Sequence, residues 1–110
     1  MNSEFIIRTA DSFNKSVKKL AKKYPSILKD LQALKLQLLK NPADGISLGK
    51  NCFKIRMAIS SKQTGKSGGA RVITYVRIEK KHITLLDVYD KADKESISEK
   101  ELAALIKKAS

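Results

Sequence analysis

The sequence predicts an α+β fold in the order βααβββα: an antiparallel-rich sheet with an N-terminal helical hairpin packed on one face and a C-terminal helix. Three observations carry this reading. Two neighbouring segments in the first half repeat apolar residues at helical spacing, the stretch from 52 to 89 switches to alternation, and the C-terminal residues return to the helical period. Alternating segments joined by short connections favour antiparallel pairing.

Each element has a local reason. Glu4–Arg8 (EFIIR) is short, apolar and β-branched, as a first strand should be. Asp11 is placed to cap a helix in which Phe13, Val17, Leu20 and Tyr24 share a face. Pro25 ends it and suits the first turn of a second helix, whose stripe is Ile27, Leu31, Leu34 and Leu38, widened by Leu28 and Leu39. Asn41-Pro42 stops that helix, because proline disfavours helical geometry in the residue before it. In Cys52–Ile59, Phe53, Ile55, Met57 and Ile59 face one way and Lys54, Arg56 and Ala58 the other. Ser60–Gly69 (SSKQTGKSGG) reads as a flexible loop. Ala70–Ile78 alternates Val72, Thr74, Val76 and Ile78 against Arg71, Ile73, Tyr75 and Arg77, and His82–Tyr89 gives a further strand. Ser98-x-x-Glu101 is a capping box, with Ile97 and Leu102 in the staple positions of a last helix. Helices are expected to cover one sheet face and leave the other open.

At 110 residues with 42% hydrophobic content, the chain has room for one core, and residues 1–110 are read as a single domain. No window is long and apolar enough for a membrane span, and the acid-containing N-terminus does not read as a signal peptide. The single cysteine, Cys52, excludes an intramolecular disulfide and a multi-cysteine zinc site, and it fits a cytoplasmic protein.

The charge is the outstanding compositional fact: 23 Lys+Arg against 11 Asp+Glu give +12, which points to a polyanionic partner. Two blocks hold the excess. Residues 15–40 carry eight lysines and one acid on a helical pattern, where lysines ordinarily form a solvated outer face. Residues 49–81 carry nine cations and only Glu79 as an acid, on a strand–loop–strand pattern. Strand parity there gathers Lys54, Arg56, Arg71 and Tyr75 on one surface, with Lys62 and Lys66 in the bordering loop. Cations interleaved with an aromatic suit single-stranded RNA, the cations meeting phosphates and the ring stacking on a base.

Other chemistries fail on residue supply. His82 is the only histidine, so neither a histidine pair nor a multi-histidine metal site can form within one chain. Cys52 precedes a buried-looking strand and reads as packing. Asp87, Asp90 and Asp93 alternate with lysines and lack the glycine and terminal glutamate of a calcium loop. Gly65-Lys66-Ser67 lacks the upstream glycine and following helix of a phosphate-binding loop. No metal and no cofactor are expected.

At Phe53-Lys54-Ile55-Arg56-Met57, Gly65-Lys66-Ser67-Gly68-Gly69-Ala70-Arg71-Val72-Ile73 and Leu85-Leu86-Asp87-Val88-Tyr89-Asp90-Lys91, the chain resembles the RelE/HigB-like toxins of bacterial type II toxin–antitoxin modules, within the RelE/ParE superfamily. The specific part of the likeness spans residues 48–97, and the nearest likeness is to HigB-like members with a long glycine- and lysine-rich loop. The resemblance implies a ribosome-dependent mRNA endonuclease, or mRNA interferase, acting in the A site and relying on cations. It implies Lys54 and Arg56 as the two basic positions of the second core strand, Arg71 as the arginine opening the next, and Lys91 as the basic residue after the last strand. Where RelE itself has a C-terminal tyrosine this chain has Ile97, and Tyr75 or Tyr89 then take the stacking role. Lys62 and Lys66 grip the flanking RNA backbone. In this scheme Arg56 and Arg71 clamp the scissile phosphate, Lys54 is the general base and Lys91 serves the leaving oxygen. Arg71→Ala, read as a surface substitution, is expected to abolish cleavage and spare the fold; Lys62→Ala is expected to weaken ribosome binding.

The expected partners are a cognate antitoxin covering the basic face or displacing the last helix, the ribosome with its mRNA and rRNA, and operator DNA only as a toxin–antitoxin complex; no membrane is involved. Two alternatives remain: a ParE-like DNA gyrase poison on the same scaffold, and a non-catalytic RNA- or ribosome-binding module.

Overall fold

The computed structural model describes residues 4–94 and 96–109. The elements run β1 (Ile6–Thr9), α1 (Asp11–Lys23), α2 (Ile27–Lys40), β2 (Ile46–Gly49), β3 (Cys52–Met57), β4 (Ala70–Arg77), β5 (His82–Asp90) and α3 (Glu99–Ala109), with short 3₁₀ turns at Ser60–Lys62 and Ile78–Lys80. The strands form one sheet in the order β1-β5-β4-β3-β2. β1 lies parallel to β5, and the other pairs are antiparallel. The α+β class, the hairpin and the last helix are as the sequence predicts. No described helix is long and apolar enough to cross a membrane.

One strand is additional. β2 pairs antiparallel with β3 through Lys50 and Asn51, whose φ values of 55° and 64° are both positive. Two central residues with φ > 0 are what a type I′ hairpin turn requires. The usual glycine signal is missing, and asparagine tolerates the left-handed region without it. Helix α1 also differs in detail: it begins at Asp11 itself, and Ala10 occupies the cap without a side-chain hydrogen bond. Asp11 acts instead as a first-turn acid, favourable at the positive end of the helix dipole. Tyr24 is extended at φ −126° and ψ 103°, as expected of a residue before proline, and this breaks the hairpin between α1 and α2.

Two apolar clusters lie on opposite faces of the sheet. Beneath the hairpin, Phe13, Leu20, Ile27, Leu31, Leu34 and Leu38 pack on Ile55, Met57, Val72, Ile83, Leu85 and Val88. On the other face, Cys52, Ile73, Leu86 and Tyr89 pack with Leu102, joined by Leu48, Tyr75, Ile97, Leu105 and Ile106. The second face is therefore not open: α3 covers part of it. A bulge in β5 makes this possible. Ile73 pairs with Asp87 and Thr74 with Leu85, so Leu86 is the unmatched residue. The register shift sends Leu85 and Val88 to the hairpin and Leu86 and Tyr89 to α3. Ser12 Oγ donates to the freed Leu86 carbonyl at 2.6 Å, which seats α1 on β5.

The capping box of α3 forms as the sequence predicts. Ser98 N donates to Glu101 Oε1 at 3.0 Å, and Glu101 N donates to Ser98 Oγ at 3.1 Å. Ser98→Ala should cost about 1 kcal/mol. The loss should speed amide exchange in α3 while the β4–β5 amides exchange at the wild-type rate. Uniform acceleration across the sheet would show that α3 does not open independently.

Candidate active site

Register brings the predicted cations together. Arg56 on β3 is directly opposite Arg71 on β4, and Arg71 is directly opposite Tyr89 on β5. Lys54 lies two residues from Arg56 on the same strand and so on the same face, opposite Ile73. Like charges on facing cross-strand positions repel. Facing positions of this kind favour an arrangement in which one of the two side chains turns away.

Arg71 is not the outward-pointing residue that parity implies. Its side chain is bent onto the loop from 60 to 69: Nη1 donates to the Lys66 carbonyl at 3.0 Å and the Ala70 carbonyl at 3.2 Å, and Nη2 to the Ser67 carbonyl at 3.1 Å. The residue is only 4% exposed. Of its five N–H donors, three are engaged this way. Arg71→Ala is accordingly no surface substitution.

The loop is tethered rather than flexible. At its start, Asp30 of α2 accepts from Ser60 N at 2.9 Å and Ser60 Oγ at 2.5 Å, and Ser26 Oγ accepts from Ser61 N at 2.9 Å. Burial pushes the Asp30 carboxyl up, but the bonds from Ser60 and Ser26 outweigh it and hold the group below its ordinary value. At its end, a Cβ on Gly69 would lie 2.2 Å from the Met57 carbonyl oxygen and 3.0 Å from Ala58 Cα. Only glycine fits so near another backbone. Gly69→Ala should therefore cost about 1–3 kcal/mol of stability, read as a lower urea midpoint. It should also perturb the Arg71 side-chain Nε resonance; an unchanged resonance with unchanged stability would refute the close approach.

Lys62 has a different task from the one the sequence suggests. Its ammonium meets Asp90 Oδ1 at 2.7 Å, with the Lys62 side chain 20% exposed and that of Asp90 fully buried. Tyr24 Oη donates to Asp90 Oδ2 at 2.5 Å, and Ala92 N donates to Oδ1 at 2.9 Å. Burial drives the Asp90 carboxyl up, and the bonds from Lys62, Tyr24 and Ala92 more than reverse this, holding it at about 2. Three separate segments meet on this one carboxylate: the hairpin break, the loop and the end of β5. Lys62 is thus committed to an interior ion pair, because a buried carboxylate demands a partner.

The remaining cations are placed around that junction. Lys91 follows Asp90 directly, and its backbone N–H donates to the Gly69 carbonyl at 3.0 Å, locking it to the loop. Lys66 is exposed in mid-loop and Arg56 is exposed at the end of β3. The described ion pairs are Lys62–Asp90, Arg77–Glu79, Lys81–Glu4 and Lys94–Glu101. Among the described residues, no acid pairs with Lys54, Arg56, Lys66, Arg71 or Lys91. A band of cations left without counter-charges holds a standing attraction for an anion.

The predicted aromatic partners are less available. Tyr89 is 8% exposed beneath α3, and Lys94 Nζ stands 5.1 Å from its ring centroid. Tyr75 is half-buried in the same cluster. Tyr89 has little ring surface left for a base while α3 is seated, because the same apolar surface buries Leu102; Tyr75 keeps part of its surface exposed. Ile97 packs into the cluster as a staple. Cys52 is fully buried, and burial pushes its thiol up to about 11, so it is packing as expected. His82 is half-buried at the start of β5, with Arg8 Nη1 3.5 Å from its Nδ1. Among the described residues, no group of three or more His, Cys, Asp or Glu is placed to hold a metal ion.

The fold and this band of cations define a class of small basic α+β proteins with an anion-attracting sheet face. Residues 13–110 match the family described as the RelE toxin of the RelE/RelB toxin–antitoxin system, and the chain belongs to that family. It is accordingly the toxin partner of such a pair, and membership implies an antitoxin. Among solved structures, it is similar to a double arginine-to-alanine mutant of the E. coli toxin RelE in the free state, at 16% identity and a TM-score of 0.59, covering 96% of this chain and 93% of that one. It is also similar to the isolated E. coli RelE toxin, at 19% identity and a TM-score of 0.59, covering 94% and 97% of the two chains. At these identities the likeness concerns the fold. No curated protein matches the sequence closely enough to count as a relative.

Proposed function

We propose that this toxin is a cytoplasmic, ribosome-dependent mRNA endonuclease that inhibits translation. The observation that carries the reading is that Arg56 and Arg71 lie opposite each other in the β3–β4 register, with Lys66 and Lys91 on the adjoining loop and strand end, and that none of the four has a described ion pair. Cations without counter-charges favour a phosphate among them.

RNA brings its own nucleophile, the 2′-OH, so the protein must align it, remove its proton, stabilise a doubly charged phosphorane-like transition state and protonate the leaving 5′-oxygen. Arg56 and Arg71 receive the non-bridging oxygens. Lys54, on the same face, takes the 2′-OH proton, and Lys91 gives a proton to the 5′-oxygen. The O–P bond to the 2′-oxygen forms as the bond to the 5′-oxygen breaks, leaving a 2′,3′-cyclic phosphate and a 5′-hydroxyl. No metal is needed for this sequence of steps. Lys66, on the tethered loop, holds flanking backbone. The long loop and Ile97 support a place near the HigB-like members.

Primer extension on mRNA after brief induction tests this. Discrete, codon-linked stops that depend on ribosomes are expected. Uniform slowing without new ends would mean RNA binding alone, and inhibited supercoiling by gyrase would move the protein to the ParE type.

A further inference from the structure

Beside the basic face lies a cleft of about 180 Å³, formed where α2 crosses the end of β3 and the loop. Its floor is apolar: Leu34 and Met57 line it and are 3% and 5% exposed. Ala33 and Ala58 flank the floor with side chains too small to fill it. Arg56 and Lys66 also line it, and both are exposed, so they stand at its rim. The cleft therefore shares Arg56 with the proposed phosphate clamp.

The walls are set in advance. Asp30 is the only carboxylate in the lining, and its oxygens already accept from Ser60 N, Ser60 Oγ and Ser26 Oγ. It anchors the loop to α2 instead of awaiting a cation. Arg71 holds the Lys66 carbonyl from the other side. A pre-formed cleft is spared the ordering cost that a loose one would meet on binding.

A slot with an apolar floor, with Gln37 and Ser60 also in its lining and cations at its rim, matches a ligand with a flat body carrying hydrogen-bonding edges and an anionic end. A guanidinium stacks on such a ring and a methionine sulfur favours contact with it. We infer that the cleft between α2 and the end of β3 is a nucleobase subsite, seating one base of the RNA strand whose phosphate lies on Arg56. This rests on the reading of the basic face as an RNA site and adds where the neighbouring base goes, a role that the buried ring of Tyr89 does not fill.

The test is an NMR titration of the whole protein with each nucleoside 5′-monophosphate, with inorganic phosphate as control. Saturable shifts are expected at the Leu34 and Met57 methyl groups, with at least one nucleotide binding tenfold or more tightly than phosphate. Ala33→Phe, at an exposed helical position, should fill the slot and lower nucleotide affinity at least tenfold; Ala33→Leu should give a smaller loss, with both variants melting near wild type. Equal binding of phosphate and nucleotides, methyl groups that do not respond, or unchanged affinity in both variants would overturn the subsite. Silent methyl groups combined with loss of antitoxin binding in Ala33→Phe would overturn it in favour of a protein side chain. Mononucleotide binding needs no ribosome. Binding without mRNA cleavage would therefore fail the endonuclease reading alone, and cleavage with a silent cleft would fail this inference alone.

Discussion

Arg56→Ala should lose about 10²–10³-fold in ribosome-dependent mRNA cleavage while unfolding at the wild-type urea midpoint. The first half follows from removing one charge-assisted donor to a transition state, an effect of about 3–4 kcal/mol where the site is preorganised. The second follows from exposure: Arg56 makes no described hydrogen bond or ion pair, and the residue opposite it in the ladder is another arginine. Its removal should leave stability within about 0.5 kcal/mol or raise it slightly. Arg71→Ala is a different experiment. It deletes the three bonds that hold the loop carbonyls of Lys66, Ser67 and Ala70. It should cost about 1–3 kcal/mol of stability as well as activity. Comparing the two variants by quantitative primer extension and urea unfolding separates the chemistry from the scaffold. Full cleavage by Arg56→Ala would remove it from the site.

The largest stability effect is expected at Asp90. Lys62→Met leaves the fully buried carboxylate with only Tyr24 Oη and Ala92 N as donors, and losing one partner of a buried pair costs about 3–5 kcal/mol. The double variant Lys62→Met/Asp90→Asn should cost clearly less than the sum of the single changes, because it leaves no unpaired charge. The pH dependence has a definite sign. Asp90 is held at about 2 against an ordinary 3.8, so the native state binds this proton later than the unfolded chain does. The resulting stability is complete above about pH 4 and is lost as pH falls from there through 2. It amounts to roughly 2 kcal/mol. Urea unfolding at several pH values should show wild type losing about that much more than Asp90→Asn over the window. Parallel curves would mean that the network does not hold the carboxylate ionised.

Lys62 also shows where reading a sequence stops. A lysine in a glycine- and serine-rich stretch gives no sign that its partner lies 28 residues away at the end of a strand, or that a tyrosine 66 residues from that aspartate completes the set. The one available signal was Asp90 itself, an acid closing a strand rich in apolar residues. Such a residue must find donors once buried. Arg71 shows the same limit from the other side. Parity placed its Cα on the correct face, but a long side chain is free to turn, and the loop carbonyls decided where its charge went.

Local patterns fared differently. The capping box at Ser98 and Glu101, the break at Pro25, and the helical stripes of Phe13, Leu20, Ile27, Leu31, Leu34 and Leu38 are set by neighbours within one or two turns, and all form. β2 was missed because its turn uses Lys50 and Asn51 at positive φ without the glycine that advertises such a turn.

The sequence by itself determined the α+β class, the hairpin, the last helix and the placement of Lys54, Arg56 and Arg71 on one sheet face, because each depends on short-range periodicity. Only the tertiary structure decided that α3 covers part of that face and takes Tyr75 and Tyr89 into its packing. It also decided that Asp30, Arg71 and Asp90 tie the loop down, and that Lys62 is spent inside while Arg56, Lys66 and Lys91 are left without described acidic partners. These outcomes depend on which distant groups bury one another, and burial is a property of the assembled chain.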